Sequence, residues 1–256
     1  MSKAITDAGI RLRTRASSLR IVRRWRQLAI AAFLGCFCSL AVAVSLDSQP
    51  YFGWDLAVTR ELQSASWPGF DVLMRGVSKP GDDVLWSGFL VGVAFVLLFT
   101  VRARREALVL LLAVGTGQVV TIAVKHIVGR PRPSPDLVNV LIHAKEINSF
   151  PSGHTVHYVV FFGFLWFLAF TLLRLSGLRW AMLGLLAGMM LLVGPARIYL
   201  GAHWASDVLG GYLLGAALLL GNISLYRWWS GPKSEARNPT VVRNDGSAEL
   251  AEVRMS

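Results

Sequence analysis

Three short runs hold most of the residues able to do chemistry. The first has Lys125 followed by Gly129-Arg130-Pro131-Arg132-Pro133, the second is Pro151-Ser152-Gly153-His154, and the third runs from Arg197 through His203 to Asp207. Arginine offers a planar fork that matches phosphate oxygens, and lysine a point charge. Ser152 and Gly153 stand where an apolar run begins, so a helix starting there would aim free N–H groups and its dipole at an anion. Glycine lets the backbone approach a phosphate closely. His203 and Asp207 are four apart and share a face if they lie on a helix. A carboxylate on one ring nitrogen fixes the tautomer and leaves the other nitrogen free to attack. His154 then remains to protonate a leaving oxygen. The implied chemistry is phosphoryl transfer through a phosphohistidine.

Metal catalysis is the competing chemistry. Asp82 and Asp83 are adjacent, but no group of histidines and carboxylates in the sequence has ligand-like spacing. Cations take the usual place of the metal in neutralising charge. No metal and no cofactor are expected.

The elements that position these residues are membrane spans. The chain has 256 residues, 54% hydrophobic and only 16% charged, where soluble domains carry about 25% charged residues. That balance excludes disorder and collagen-like repeats, and the two cysteines, Cys36 and Cys38, share one apolar run, which excludes a disulfide framework. A spanning helix needs about 20 mostly apolar residues. Six runs qualify: Leu28–Ser45, Val84–Val101, Ala107–Val124, Thr155–Leu173, Trp180–Ala196 and Val208–Tyr226. Pro195 is expected to kink the fifth without ending it. The fold class is all-α and integral to the membrane, a bundle of six transmembrane helices. Residues 1–26 form a basic cytoplasmic segment, 27–229 the membrane domain and 230–256 a polar cytoplasmic tail.

The formal net charge of +11 flanks the apolar runs, so it reads as a membrane signature and not as a nucleic-acid footprint. Eighteen of the 26 lysines and arginines fall on the side that holds both termini, and eight on the other. Positive charge gathers on the cytoplasmic side. Both termini are therefore expected in the cytoplasm of a cell with this protein in its plasma or inner membrane, and the three motifs outside it. A cleaved signal peptide is the alternative for the first run, because Ala41-Val42-Ala43 resembles a small-residue cleavage site. In the first outer loop, Phe70, Leu73 and Val77 share a helical face and suggest an interfacial helix covering the bundle, with a substrate lid as the alternative. Gly184–Gly188 and Gly211–Gly215 are GxxxG patterns, explained as well by close packing inside the bundle as by a dimer face.

The motifs resemble those of the type 2 phosphatidic acid phosphatase family, which shares its site with vanadium haloperoxidases. Lys125 to Arg132-Pro133 matches Lys-x6-Arg-Pro, and Pro151-Ser152-Gly153-His154 matches without change. Arg197 to Asp207 matches Ser-Arg-x5-His-x3-Asp, except that Ala196 replaces the leading serine. The resemblance implies that His203 is the nucleophile, Asp207 its orienting partner, and His154 the general acid and later base. It implies that Lys125, Arg132, Ser152, Gly153 and Arg197 cradle the phosphate, and that no metal is needed. Arg130, His126 and His157 fall outside the motifs. His126 reads as interfacial and His157 as a satisfied core histidine. His143, Lys145 and Glu146 read as a solvated loop.

The expected function is therefore hydrolysis of a lipid phosphate or diphosphate whose tail stays in the bilayer. Undecaprenyl diphosphate, phosphatidic acid, phosphatidylglycerol phosphate and lipid A phosphates are the classes the resemblance implies. The expected partners are the bilayer and that lipid, with no nucleic acid. The competing readings are a phosphatase of a soluble sugar phosphate and a catalytically silent membrane scaffold or transporter. The complete set of motif residues argues against the silent reading.

Overall fold

A computed structural model describes residues 2–65, 67–142 and 146–231, with side chains from Ile21 onward except that of Val84. From residue 232 the expected tail lies outside the described residues, as do His143 and Lys145. The helices are α1 (Ser2–Leu46), α2 (Gly53–Gln63), α3 (Phe70–Asp82), α4 (Val84–Thr100), α5 (Arg104–Val128), α6 (Gly153–Leu172), α7 (Gly177–Tyr199) and α8 (Ala205–Ser230). Among the described residues there is no strand, only an isolated bridge between Pro131 and Asn148.

Backbone groups in a bilayer must be satisfied internally, so apolar runs of this length form helices. Ile21–Leu46 of α1, and α5, α6, α7 and α8, are each long and apolar enough to cross a membrane. Helix α4 has 17 residues and joins α3 across a 75° bend. At 1.5 Å per residue α4 is about 25 Å long. It starts beside the charged cluster described below and ends next to the start of α5, and the bent pair α3–α4 taken together is the sixth candidate span. Asp83 caps it, accepting the Leu85 N–H at 2.9 Å. Pro195 lies inside α7, which continues to Tyr199 as expected.

Helix α6 is the centre of the bundle. Its span is 67% buried, against 11% for that of α1, and it packs on α5, α7 and α8. Phe161, Phe164 and Phe167 meet Tyr226 and Leu110 on one side, while Val156 and Val160 meet Phe37, Phe150 and Leu214 on another. Leu85, Phe89, Leu97, Val119, Leu185 and Leu191 are exposed. Helices apolar on their outer faces as well as their inner ones are stable only in lipid, and the protein is an integral membrane protein.

The two GxxxG patterns part company. A Cβ on Gly211 would lie 2.7 Å from Thr155 Cβ, and one on Gly215 would lie 2.9 Å from Val159 Cβ, so both glycines let α8 press against α6. Gly184 and Gly188 face open space. On α3 the buried face is Phe70, Met74 and Val77, seated on Tyr158, Val193 and Ala196, whereas Leu73 is exposed. The helical period brings Met74, four residues after Phe70, to the position expected for Leu73.

Candidate active site

Four helix ends meet at one end of the bundle, and all eight residues singled out from the sequence lie there. Lys125 is in the last turn of α5, which stops at Gly129 (φ +64°), whose N–H bonds the Lys125 carbonyl at 2.9 Å. The extended segment 130–132 carries Arg132 back over the bundle, tied down by the Ser149 N–H on the Arg130 carbonyl at 2.7 Å. Ser152 is the N-cap of α6, and Gly153 and His154 are its first residues. Arg197 is in the last turn of α7. His203 precedes α8, and Asp207 is in its first turn.

The placement of His203 corrects one premise. The helix begins at Ala205, so His203 and Asp207 do not share a helical face. His203 sits instead in the turn after Gly201, where φ is +67° and a Cβ would lie 2.4 Å from the Asn139 carbonyl oxygen. The pair still meets, with His203 Nδ1 3.5 Å from Asp207 Oδ2. Ser149 completes it: its hydroxyl donates to Asp207 Oδ2 and lies 3.4 Å from His203 Nδ1. Asp207 Oδ2 also accepts the Trp204 N–H at 2.9 Å, which caps α8 and fixes the carboxylate. On the other edge of the ring, Arg132 Nη1 is 3.2 Å from His203 Nε2 and 2.7 Å from the Ala202 carbonyl oxygen. Burial, and then the charges of Arg132, Arg197 and Lys125, hold His203 well below the ordinary histidine range. The guanidinium, which can only donate, faces the Nε2 edge of the ring.

His154 has a carboxylate of its own. Its Nε2 lies 3.0 Å from Asp82 Oδ1, which also accepts from Arg197 Nη1 at 2.5 Å and from the Ser78 hydroxyl at 2.9 Å. Arg197 Nη1 donates to the Ser78 hydroxyl as well, at 2.7 Å, and its buried Nε has no hydrogen-bond partner among the described residues. The end of α3 reaches His154 because residue 81 is glycine: a Cβ there would lie 2.5 Å from His154 Cδ2. The segment that carries α2 and α3 therefore both covers the bundle and supplies a charged group to the site.

Lys125 is buried beside the start of α6, its Cε 3.9 Å from where a Cβ on Gly153 would be. Its ammonium bonds the Glu146 carboxylate and, at 3.3 Å, the Asn148 carbonyl oxygen. Burial raises the Glu146 carboxyl, but Lys125 and then Arg132 outweigh it and hold the group below the ordinary carboxylate range. Glu146 is thus paired to the site and not simply solvated. Lys125, Arg132 and Arg197 gather positive charge beside the first N–H groups of α6, an arrangement suited to an anion, and are partnered by the carboxylates of Glu146 and Asp82. Ser152 contributes differently from a free hydroxyl, since its Oγ accepts from Thr155 Oγ1 at 3.0 Å and is buried. Among the described residues no group of three or more His, Cys, Asp or Glu is arranged to hold a metal ion.

The residues outside the motifs behave variously. His126 is exposed and bonds the Ile122 carbonyl oxygen at 2.8 Å. His157 stacks on Phe161 with ring centroids 5.6 Å apart. Sequence reasoning missed Ser149, Asp82, Ser78 and Asp55, and set Arg130 aside. For Arg130 a signal existed, a second arginine two residues before Arg132 in a segment too short to hide it. The others are common residue types at unremarkable spacing.

A buried histidine between a carboxylate and a cation, at the end of a helical membrane bundle where three cationic side chains gather, belongs to a membrane phosphatase. Residues 106–230 match the PAP2 superfamily, and the chain is a member of it. It is 27% identical over 183 residues to phosphatidylglycerophosphatase B of Bacillus subtilis, covering 70% of this chain and 86% of that protein. It is 30% identical over 169 residues to decaprenylphosphoryl-5-phosphoribose phosphatase of Mycobacterium tuberculosis, covering 64% of this chain and 86% of that protein. The crystal structure of a transmembrane PAP2-type phosphatidylglycerolphosphate phosphatase from Bacillus subtilis superposes with a TM-score of 0.65 at 26% identity, over 77% of this chain and 94% of that one.

Proposed function

We propose that this phosphatase removes phosphate from a lipid phosphate or diphosphate at the outer leaflet, through a phosphohistidine on His203 and without a metal ion. The observation that carries the reading is the seating of His203, with Asp207 and Ser149 on Nδ1 and Arg132 on Nε2. A guanidinium only donates, so Nε2 holds the lone pair and Nδ1 the proton. The lone pair forms a P–N bond as the bond from phosphorus to the leaving oxygen breaks, and His154 gives that oxygen its proton. Water then attacks phosphorus, His154 takes a proton from it, and the P–N bond breaks to return the lone pair to His203. Lys125, Arg132, Arg197 and the α6 N-terminus stabilise the charge on the phosphoryl oxygens, the task a metal would otherwise perform.

The lipid class rests on the position of the site at the end of a membrane bundle and on relatives whose names denote phosphatases of lipid-linked phosphates. The outward orientation rests on the eighteen-to-eight division of basic residues. A reporter fused after Trp229 should behave as cytoplasmic and one inserted near Ile142 as extracytoplasmic.

The deciding experiment is phosphate release by the purified protein from undecaprenyl diphosphate, phosphatidic acid, phosphatidylglycerol phosphate and a sugar phosphate, with and without a strong chelator. Release from a lipid with chelator present, inhibited by vanadate as a transition-state mimic, is expected. Preference for the sugar phosphate, or activity lost to chelator and restored by magnesium, would contradict it.

A further inference from the structure

Two charged residues outside the three motifs are buried as deeply as those inside them. Arg130 is 5% exposed and Asp55 fully buried. Arg130 donates from Nη1 to Asp207 Oδ1 at 2.7 Å and to the Ser206 hydroxyl at 2.6 Å, from Nη2 to Asp55 Oδ2 at 2.8 Å, and from Nε to the Pro50 carbonyl oxygen at 3.0 Å. Its guanidinium lies 5.4 Å from the centre of the Phe52 ring. Asp55 accepts the Ser206 N–H at 2.7 Å, the Ser206 hydroxyl at 2.8 Å and the Phe52 N–H at 3.0 Å. One arginine therefore bridges two buried carboxylates, that of Asp207 and that in the first turn of α2.

Isolated buried charge is too costly to persist, and a carboxylate without a counter-charge takes up a proton instead. As the acid, Asp207 would donate to His203 Nδ1 and drive the ring proton to Nε2, leaving no lone pair for phosphorus. We propose that Arg130 is a positioning residue that keeps Asp207 ionised, and that Asp55 aims Arg130 and moderates its charge, which makes α2 part of the catalytic unit. This rests on the reading of His203 as nucleophile.

Burial pushes the Asp207 carboxyl up and Arg130 is the first of the groups that oppose it, among charges delivered by several elements. Arg130 and Arg132 come from the segment after α5, Lys125 from α5, Asp55 from α2 and His203 from the turn before α8. Ser149 and the Trp204 N–H are its neutral donors. Removing the Arg130 cation disfavours both ionised Asp207 and neutral His203, so the acid limb of the rate profile must move to higher pH. Removing the Asp55 anion acts with the opposite sign on both groups.

The test is kcat/KM against pH for the full-length protein in detergent, with Arg130→Gln, Asp55→Asn, Arg130→Lys and the Arg130→Gln/Asp55→Asn double variant. Arg130→Gln should lower kcat on the order of 100-fold, between the effect of an outer-shell partner and that of an orienting aspartate. Its acid limb should rise by about one pH unit, the size expected for losing a close opposite charge. Asp55→Asn should move the limb downward, and Arg130→Lys should slow the enzyme with the limb at its wild-type position. If Arg130→Gln does not fold, the double variant, which removes one charge of each sign, carries the same prediction of a rate loss without the upward shift. Limbs that stay fixed, or move the same way in Arg130→Gln and Asp55→Asn, would reduce the network to packing and overturn the proposal. Phosphoryl label on His203→Ala would overturn the nucleophile reading instead, so the two failures are distinguishable.

Discussion

Nη1 of Arg132 stands 3.2 Å from Nε2 of His203, so the nitrogen assigned to attack phosphorus faces a cation that cannot give it a proton. The same guanidinium is anchored through Nε on the Glu146 carbonyl oxygen at 2.6 Å and through Nη1 on that of Ala202. A lysine would keep the charge and lose the fork. Arg132→Lys should therefore lower kcat/KM about 10²–10³-fold, the range for removing one preorganised donor to developing charge, and weaken vanadate inhibition in parallel. A loss under about fivefold in steady-state kinetics would place Arg132 outside the transition state.

The neutrality of His203 sets the direction of the pH dependence. Burial and the surrounding cations depress its protonation, so the reactive neutral form persists below the ordinary histidine range and is lost only as pH falls through the lowered value. The acid limb of kcat/KM should lie well below pH 6.5, the unperturbed histidine value. A limb at or above that value would mean that the cations do not act on His203.

Asp82 touches both His154, the proposed leaving-group acid, and Arg197, a proposed phosphate ligand. Burial and then Arg197 push His154 down to about 4, and the Asp82 carboxylate opposes them, favouring the protonated form that donates. Asp82→Asn should therefore resemble His154→Ala, losing more activity on a lipid monophosphate than on an aryl phosphate, whose leaving group needs little protonation. Equal losses on both substrates would assign Asp82 to Arg197 alone.

Close packing of α8 on α6 at Gly211 sets the distance between Asp207 and Ser152, whose N–H donates to the Asp207 carbonyl oxygen at 3.0 Å. Gly211→Val would overpack this contact, at a cost of about 1–3 kcal/mol. Thermal unfolding in detergent should show a lower midpoint for Gly211→Val and no change for Gly184→Ala, whose added Cβ meets nothing within 4 Å. Equal effects would contradict the packing described here.

Apolar run lengths made the spans legible in the sequence, and motif spacing pointed to eight residues that the structure gathers at one end of the bundle. What spacing does not encode is delivery from elsewhere in the chain. Asp55 and Asp82 precede the motifs by 70 and 43 residues when counted to Lys125, and only the seating of α2 and α3 brings them to the site. Ser149 was hidden for another reason: its hydroxyl matters because the chain turns back beside His203, which periodicity does not reveal. His203 itself was placed correctly in space from an incorrect helical premise, because the α8 cap and the Gly201 turn replace the shared face.

The central claim, covalent catalysis by His203, is tested most directly by rapid quench of the enzyme during turnover of a radiolabelled phosphate substrate. Acid-labile label should be trapped on the wild-type protein, accumulate on His154→Ala with an aryl phosphate because the water step is impaired, and be absent from His203→Ala. Label that persists on His203→Ala, or that is missing from both wild type and His154→Ala, would contradict the phosphohistidine mechanism.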